Sequence, residues 1–323
     1  MFVTRRLPDD ALEAALAPLD DVVVDVWEGD GPPPPEVLRT RGAGAVGLVP
    51  MLTETVDEAL LEACADLEVV ASMGVGYDHV DVAALTRRGI PLGNTPDVVT
   101  SATAELAFAL VLAVARRIAE AQAFVAAGRW RSWEPGLLLG RELAGTTLGV
   151  VGLGRIGQAV ARRALGFDMV VIGTRRSGVP VRGVEIVELP ELLARADVVS
   201  LHVPLEPATR HLIGQAELAA MRPGAILVNT ARGPIVDPVA LAEALASGHL
   251  GGAGLDVTEP EPIGPDDPLL GLDGCVVLPH VGSATTATRK AMARRVGENL
   301  VAGLTGRRLP YCVNPEVYDR PGS

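Results

Sequence analysis

Three short stretches carry side chains that can do chemistry together. They are "VNTARGPIVD" with Arg232, "GLDVTEPEP" with Asp256 and Glu261, and "LPHVGSAT" with His280 and Ser283. Reduction of a 2-oxo acid by hydride transfer needs the guanidinium, carboxylate and imidazole they supply. A guanidinium holds a carboxylate through two hydrogen bonds and polarises the neighbouring carbonyl. An imidazolium gives the carbonyl oxygen its proton. A carboxylate on the other ring nitrogen keeps that imidazolium charged near neutral pH. The expected catalytic set is Arg232, Glu261 and His280, with Ser283 beside the substrate. Singly, each has a plainer reading: Arg232 as a cap or ion pair, Glu261 as a solvated loop residue. His202 in "SLHVPL" also ends an apolar run and is the rival acid, whereas His79, His211 and His249 read as structural.

Hydride chemistry requires a nucleotide site, and "VVGLGRIGQAVARR" spaces Gly152, Gly154 and Gly157 as G-x-G-x-x-G between an apolar run and an amphipathic helix. The first glycine permits a tight turn, the second lets backbone approach a pyrophosphate, and the third packs helix on strand. The helix N-terminus, with Arg155 and Ile156, offers amide donors to the anion. About 20 residues on, a site for NAD places an acid against the ribose hydroxyls. Here "VVIGTRRSG" puts Thr174, Arg175 and Arg176 there, and Asp168 precedes the strand. Guanidinium groups match a phosphate in charge and geometry. The expected cofactor is NADP(H), with NAD(H) possible; the other reading makes both arginines solvated loop residues.

Parallel sheets must position these groups. Short β-branched runs, "DVVVDVW", "AVGLVP", "LEVVASM" and "IPLGN", alternate with the helical patterns "DDALEAALAPL", "TVDEALLEACA" and "HVDVAALTRRG". A second alternating series runs from "TTLGVVGLG" to "CVVLPH". The expected fold is α/β, two doubly wound parallel-sheet domains, a Rossmann-type nucleotide domain inserted into a flavodoxin-like substrate domain. The substrate domain is expected at 1–98 and 287–323, and the nucleotide domain at 99–286. One long helix is predicted over "TSATAELAFALVLAVARRIAEAQAFVAAG", capped by Thr100 or Ser101 and ended by Gly128. Its apolar circumference implies burial against more than one layer or against a subunit partner.

Composition excludes other classes. The 323 residues carry a formal net charge of −12 and one lysine, Lys290, which argues against a nucleic-acid partner. Cys64, Cys275 and Cys312 are scattered, so neither a metal site nor a disulfide framework is expected. No run approaches the roughly 20 apolar residues of a membrane span, and the first residues lack a signal-peptide core. The expectation is a cytoplasmic protein.

Taken together, "MGVGYDHVD", "GNTPDVVTSATAELA", "VVGLGRIGQAVARR", "LHVPLEPATRHLI", "MRPGAILVNTARGPIVD", "GLDVTEPEP" and "LPHVGSAT" resemble the D-isomer-specific 2-hydroxyacid dehydrogenases over nearly the whole chain. The resemblance implies a homodimer made through the nucleotide domains, and backbone amides of Val75 and Gly76 on the substrate carboxylate. It also implies that Thr103, Pro204, Thr209, Thr230, Ala231, Asp256 and Gly282, with His202 and His280, line the cofactor, Asp256 lying near the nicotinamide amide. "GRWRSWEPGLLLG" and "DVTEPEP" are most similar to the glyoxylate/hydroxypyruvate reductases, a branch in which NADPH is commonly preferred. That branch implies that Trp133 contacts substrate in a neighbouring subunit; Trp130 and Trp133 as simple interface packing is the other reading. Two alternatives stay open: a reductase of bulkier 2-oxo acids, and a nucleotide-sensing scaffold resembling the C-terminal-binding corepressors.

Overall fold

Two sheets, both parallel throughout, hold all the named strands among the described residues. The structure is a computed structural model that describes residues 1–8, 10–19 and 22–319. Asp9 of the first predicted helix, Asp21 of the first predicted strand and residues 320–323 of the predicted substrate domain lie outside the described residues. By internal packing the chain divides into one unit of Met1–Val99 with Ala284–Ser323 and another of Thr100–Ser283.

The first unit runs β1 (Phe2–Val3), α1 (Ala11–Leu16), β2 (Asp25–Val26), α2 (Pro35–Gly42), β3 (Gly47–Val49), α3 (Glu58–Ala63), β4 (Val69–Ala71), α4 (Val82–Arg88) and β5 (Leu92–Gly93). Its strand order is β2-β1-β3-β4-β5, the flavodoxin-like arrangement. The predicted strand "DVVVDVW" contributes only Asp25 and Val26 to the sheet.

The second unit contains α5 (Thr100–Ala115), α6 (Ile118–Ala126), β6 (Thr147–Val151), α7 (Arg155–Leu165), β7 (Val170–Thr174), β8 (Glu185–Ile186), α8 (Leu189–Arg195), β9 (Val198–Leu201), α9 (Gln215–Ala220), β10 (Ala225–Asn229), α10 (Pro238–Ala246), β11 (Leu250–Leu255) and β12 (Cys275–Val277). Chain order then returns to the first unit with α11 (Thr286–Leu304). On α11, Met292, Val296 and Leu300 recur every four residues and are buried, which fixes one face to the interior. The segment beyond α11 covers the edge of the first sheet: Val313 N–H donates to Leu92 O at 2.8 Å, and Asn314 Oδ1 accepts from Leu92 N–H at 2.7 Å.

The second sheet has the order β12-β11-β10-β9-β6-β7-β8. Chain direction across it reverses between β6 and β9, the switch point at which open α/β sheets bind ligands. Strands buried on both faces divide their side chains by alternation. Ala225 and Leu227 of β10 join Leu192, Leu218 and Leu241 of α8, α9 and α10, whereas Ile226 and Val228 join Leu110 of α5 and Val160 of α7.

The single helix predicted over 100–128 is two. Arg117 separates α5 from α6 with φ +51°, and its Nε donates to Glu120 Oε2 at 2.6 Å. The positive φ of Gly128 does end α6. The halves differ in burial: α5 packs on α7, β10, β11 and β12, whereas α6 has no buried residue.

Candidate active site

Most candidate catalytic and nucleotide motifs of the second unit lie just past the carboxyl end of a strand in its sheet, Thr103 on α5 being an exception. The glycine turn follows β6, Arg175 and Arg176 follow β7, and His202 follows β9. Arg232 follows β10, Asp256 and Glu261 follow β11, and His280 follows β12.

At the switch point Gly152 has φ +97°, and a Cβ there would lie 2.7 Å from His202 O. A Cβ on Gly157 would lie 2.1 Å from Gly152 O, so α7 approaches the turn more closely than any side chain permits. Gly154 precedes α7, and a Cβ on it would meet no protein atom within 4 Å. That open space before the first helical amides, of Arg155 and Ile156, fits a pyrophosphate. A buried polar atom agrees: Thr230 is 8% exposed and its Oγ1 has no protein partner. The residues therefore fit a dinucleotide, and the orphaned Thr230 hydroxyl is where such a ligand would supply the missing hydrogen bond.

The predicted phosphate ligands are engaged with protein. Gly152 N–H donates to Thr174 Oγ1 at 3.1 Å, Arg175 Nη1 donates to Val179 O at 3.2 Å, and Arg176 Nη2 pairs with Glu206 Oε2 at 2.9 Å. Thr209 closes the loop after β9, donating from Oγ1 to Pro204 O at 2.7 Å and accepting from Glu206 N–H at 2.8 Å.

Around the catalytic candidates, His280 Nδ1 lies 2.6 Å from Glu261 Oε1. Burial pushes the Glu261 carboxyl up, but the hydrogen bond and charge of His280, a Thr258 backbone bond and the Arg232 charge together hold it below the usual carboxylate value. His280 adopts φ +54°, a rare conformation for a side chain with a Cβ. Asp256 over-determines that backbone: its O accepts from His280 N–H at 2.9 Å, and its carboxylate accepts from Val281 and Gly282 N–H at 2.7 Å each. Asp256 is 1% exposed; burial raises its pKa, and these amides work against the rise. A Cβ on Gly282 would lie 3.0 Å from the Asp256 carboxylate and 3.5 Å from Thr103 Cγ2, so Thr103 joins this loop.

Arg232 is held through its backbone. Asn229 Nδ2 donates to Arg232 O at 2.8 Å, and Asn229 Oδ1 accepts from Ala231 N–H at 3.0 Å. The sequence reading missed Asn229 in this role, although an Asn ending a strand and bonding the following backbone is a recognisable turn signal. It also missed Glu206 and Glu259; Glu259 engages Arg210 and His211.

Val75 and Gly76 belong to the first unit, where Asn94 Nδ2 donates to Val75 O at 2.9 Å. Ser283 closes the second unit, and Trp133, 81% exposed, follows α6. Among the described residues no cluster of three or more metal-ligating side chains occurs, and no helix is long and apolar enough to cross a membrane.

Comparison with known proteins places this arrangement. Residues 108–282 match the model of the NAD-binding domain of D-isomer-specific 2-hydroxyacid dehydrogenases. A glyoxylate reductase of Korarchaeum cryptofilum is 47% identical, covering 98% of this chain and 96% of its own. A crystal structure of a Thermus thermophilus protein aligns with TM-score 0.91 at 48% identity, over 97% of this chain and 99% of the other. An NADPH-dependent glyoxylate/hydroxypyruvate reductase of Sinorhizobium meliloti, solved with NADP and malonate, aligns with TM-score 0.86 at 31% identity, over 100% and 98%. By these matches the chain belongs to the D-isomer-specific 2-hydroxyacid dehydrogenase family.

Proposed function

We propose that this protein catalyses the NADPH-dependent reduction of small 2-oxo acids, glyoxylate to glycolate and hydroxypyruvate to D-glycerate, with His280 as proton donor. The 2.6 Å contact between His280 Nδ1 and Glu261 Oε1 carries the reading. In this assignment residues 99–286 hold the cofactor, and residues 1–98 with 287–323 serve the 2-oxo acid, to whose carboxylate Val75 and Gly76 offer backbone amides.

When bound, the reduced nicotinamide supplies a hydride to the carbonyl carbon. Nδ1 of His280 is committed to Glu261, so Nε2 carries the transferable proton. As the carbonyl oxygen gains negative charge it takes that proton, and the ring returns to its neutral tautomer with Nδ1–H on Glu261. Glu261, held below the usual carboxylate value, remains an anion throughout and stabilises the imidazolium without taking its proton. Arg232 holds the substrate carboxylate and polarises the carbonyl. His202 suits the acid role less well: burial pushes it down to about 4, so it is neutral at pH 7, and its Nε2 engages Ser200 Oγ at 2.8 Å.

Arg175 and Arg176, standing where an NAD site carries an acid, support NADPH over NADH. The names of the Korarchaeum and Sinorhizobium relatives support the substrates. A homodimer completes the proposal. Ile118 and Val125 of α6, with Trp130, Trp133 and Leu139 beyond it, are exposed large apolar side chains that a second copy would cover, and Trp133 would contact that copy's substrate.

A spectrophotometric screen tests the reading, following loss of reduced-nicotinamide absorbance with glyoxylate, hydroxypyruvate, pyruvate and phenylpyruvate against both cofactors. The first two acids with NADPH should give the highest kcat/KM. Preference for phenylpyruvate, or no turnover of any acid, would refute it.

A further inference from the structure

Glu259, two residues before Glu261, has its carboxylate held from two positions on the loop after β9. Arg210 Nη2 donates to one oxygen, and His211 Nε2 lies 2.7 Å from the other. The Glu259 side chain is 23% exposed, which puts these contacts partly out of water. His211 takes φ +49°, and its N–H donates to Pro234 O at 2.8 Å, so the same turn also grips the segment that begins with Arg232. That segment presses on Thr258: a Cβ on Gly233 would lie 1.9 Å from Thr258 O. Thr258 Oγ1 in turn donates to Pro260 O at 2.7 Å. Three pieces of chain thus interlock: the His211 turn, the Arg232–Pro234 segment, and the Thr258–Glu261 segment.

The pair that this scaffold carries is itself open to water, the Glu261 and His280 side chains being 36% and 28% exposed. A contact so exposed persists only if the backbone beneath each partner is fixed, because solvent competes for both groups. Asp256 fixes His280 through three backbone amides. We propose that Glu259 does the corresponding work for Glu261: the clamp of Arg210 and His211 on Glu259 positions the catalytic carboxylate. Glu259 is a positioning residue, acting through the chain rather than on substrate. The groups it meets are the guanidinium of Arg210 and the imidazole of His211. Glu261 meets His280, with Arg232 and Asp256 as the further charges around it. The inference rests on the reading of Glu261 and His280 as the acid pair.

The test uses the full-length enzyme and the variants E259Q, E261Q, their double, and R210Q/H211Q, which removes the clamp from its other side. E259Q keeps the side-chain volume and removes the charge. It should lower kcat/KM about ten- to hundredfold, the scale of a misplaced catalytic group, with NADPH binding within about twofold of the parent. The alkaline limb of the kcat/KM profile should move to lower pH, in the same direction as in E261Q but by less, because the imidazolium loses its anion part of the time. R210Q/H211Q should reproduce this, and the E259Q/E261Q double should be no slower than E261Q alone. A parental pH profile in E259Q and in R210Q/H211Q, whatever their melting temperatures, overturns the clamp, as does an additive double variant. Should E261Q itself keep the parental profile, the acid pair on which the clamp depends is withdrawn first.

Discussion

The guanidinium of Arg176, past the end of β7, lies 2.9 Å from the carboxylate of Glu206, on the loop after β9, two strands away in the sheet. A 2′-phosphate arriving at Arg176 has to compete with that carboxylate. The pair is exposed, 76% and 42% by side chain, so its strength is small and falls with salt. Glu206→Gln should tighten NADPH about two- to fivefold at low ionic strength and leave NADH unchanged. Titration calorimetry with both cofactors checks this; equal changes for the two would show that Glu206 acts on the nucleotide in general.

Arg175 and Arg176 themselves give a larger signal. Hydrogen bonds to charged groups contribute about 1.5–3 kcal/mol each, toward the lower end where water has access. The double variant R175A/R176A should therefore weaken NADPH at least about tenfold more than NADH in the same titration. Equal weakening of both would remove the phosphate assignment.

The two glycines of the turn should separate folding from binding. Gly157→Ala forces a methyl to 2.1 Å from Gly152 O and should destabilise the protein on the order of 3 kcal/mol. Gly154→Ala meets no protein atom and has φ −74°, which alanine adopts freely. Its melting temperature should match the parent while cofactor affinity falls. Intact binding in Gly154→Ala would move the pyrophosphate elsewhere.

Thr230 makes an opposite trade. Its Oγ1 is buried without a protein partner, so Thr230→Val should stabilise the cofactor-free protein by up to about 1 kcal/mol. The same change should weaken cofactor binding. Melting curves with and without cofactor read both effects; a destabilised free protein would mean that the hydroxyl is already satisfied.

Legibility in the sequence followed how local each cause was. Gly152 and Gly157 could be read directly, because the need for no side chain is written in the residue type. The two α/β layers were likewise legible in the alternation of apolar runs and helical patterns. The break between α5 and α6 was not: nothing about arginine as a residue type signals the left-handed turn at Arg117. Strand β8 escaped notice because Glu185 and Ile186 form too short a run to carry a pattern. Glu206 and Glu259 could not be assigned from sequence, since their partners lie 30 to 49 residues away and only the fold brings them together.

Protonation by His280, supported by Glu261, is the central claim, and His280→Gln tests it most directly when turnover of glyoxylate and hydroxypyruvate is measured beside NADPH affinity. Loss of a positioned general acid costs about 10²–10⁴ in rate. The account predicts a fall of that size in kcat with the NADPH dissociation constant within about twofold of the parent. Parental turnover in His280→Gln would contradict it and pass the acid role to another group.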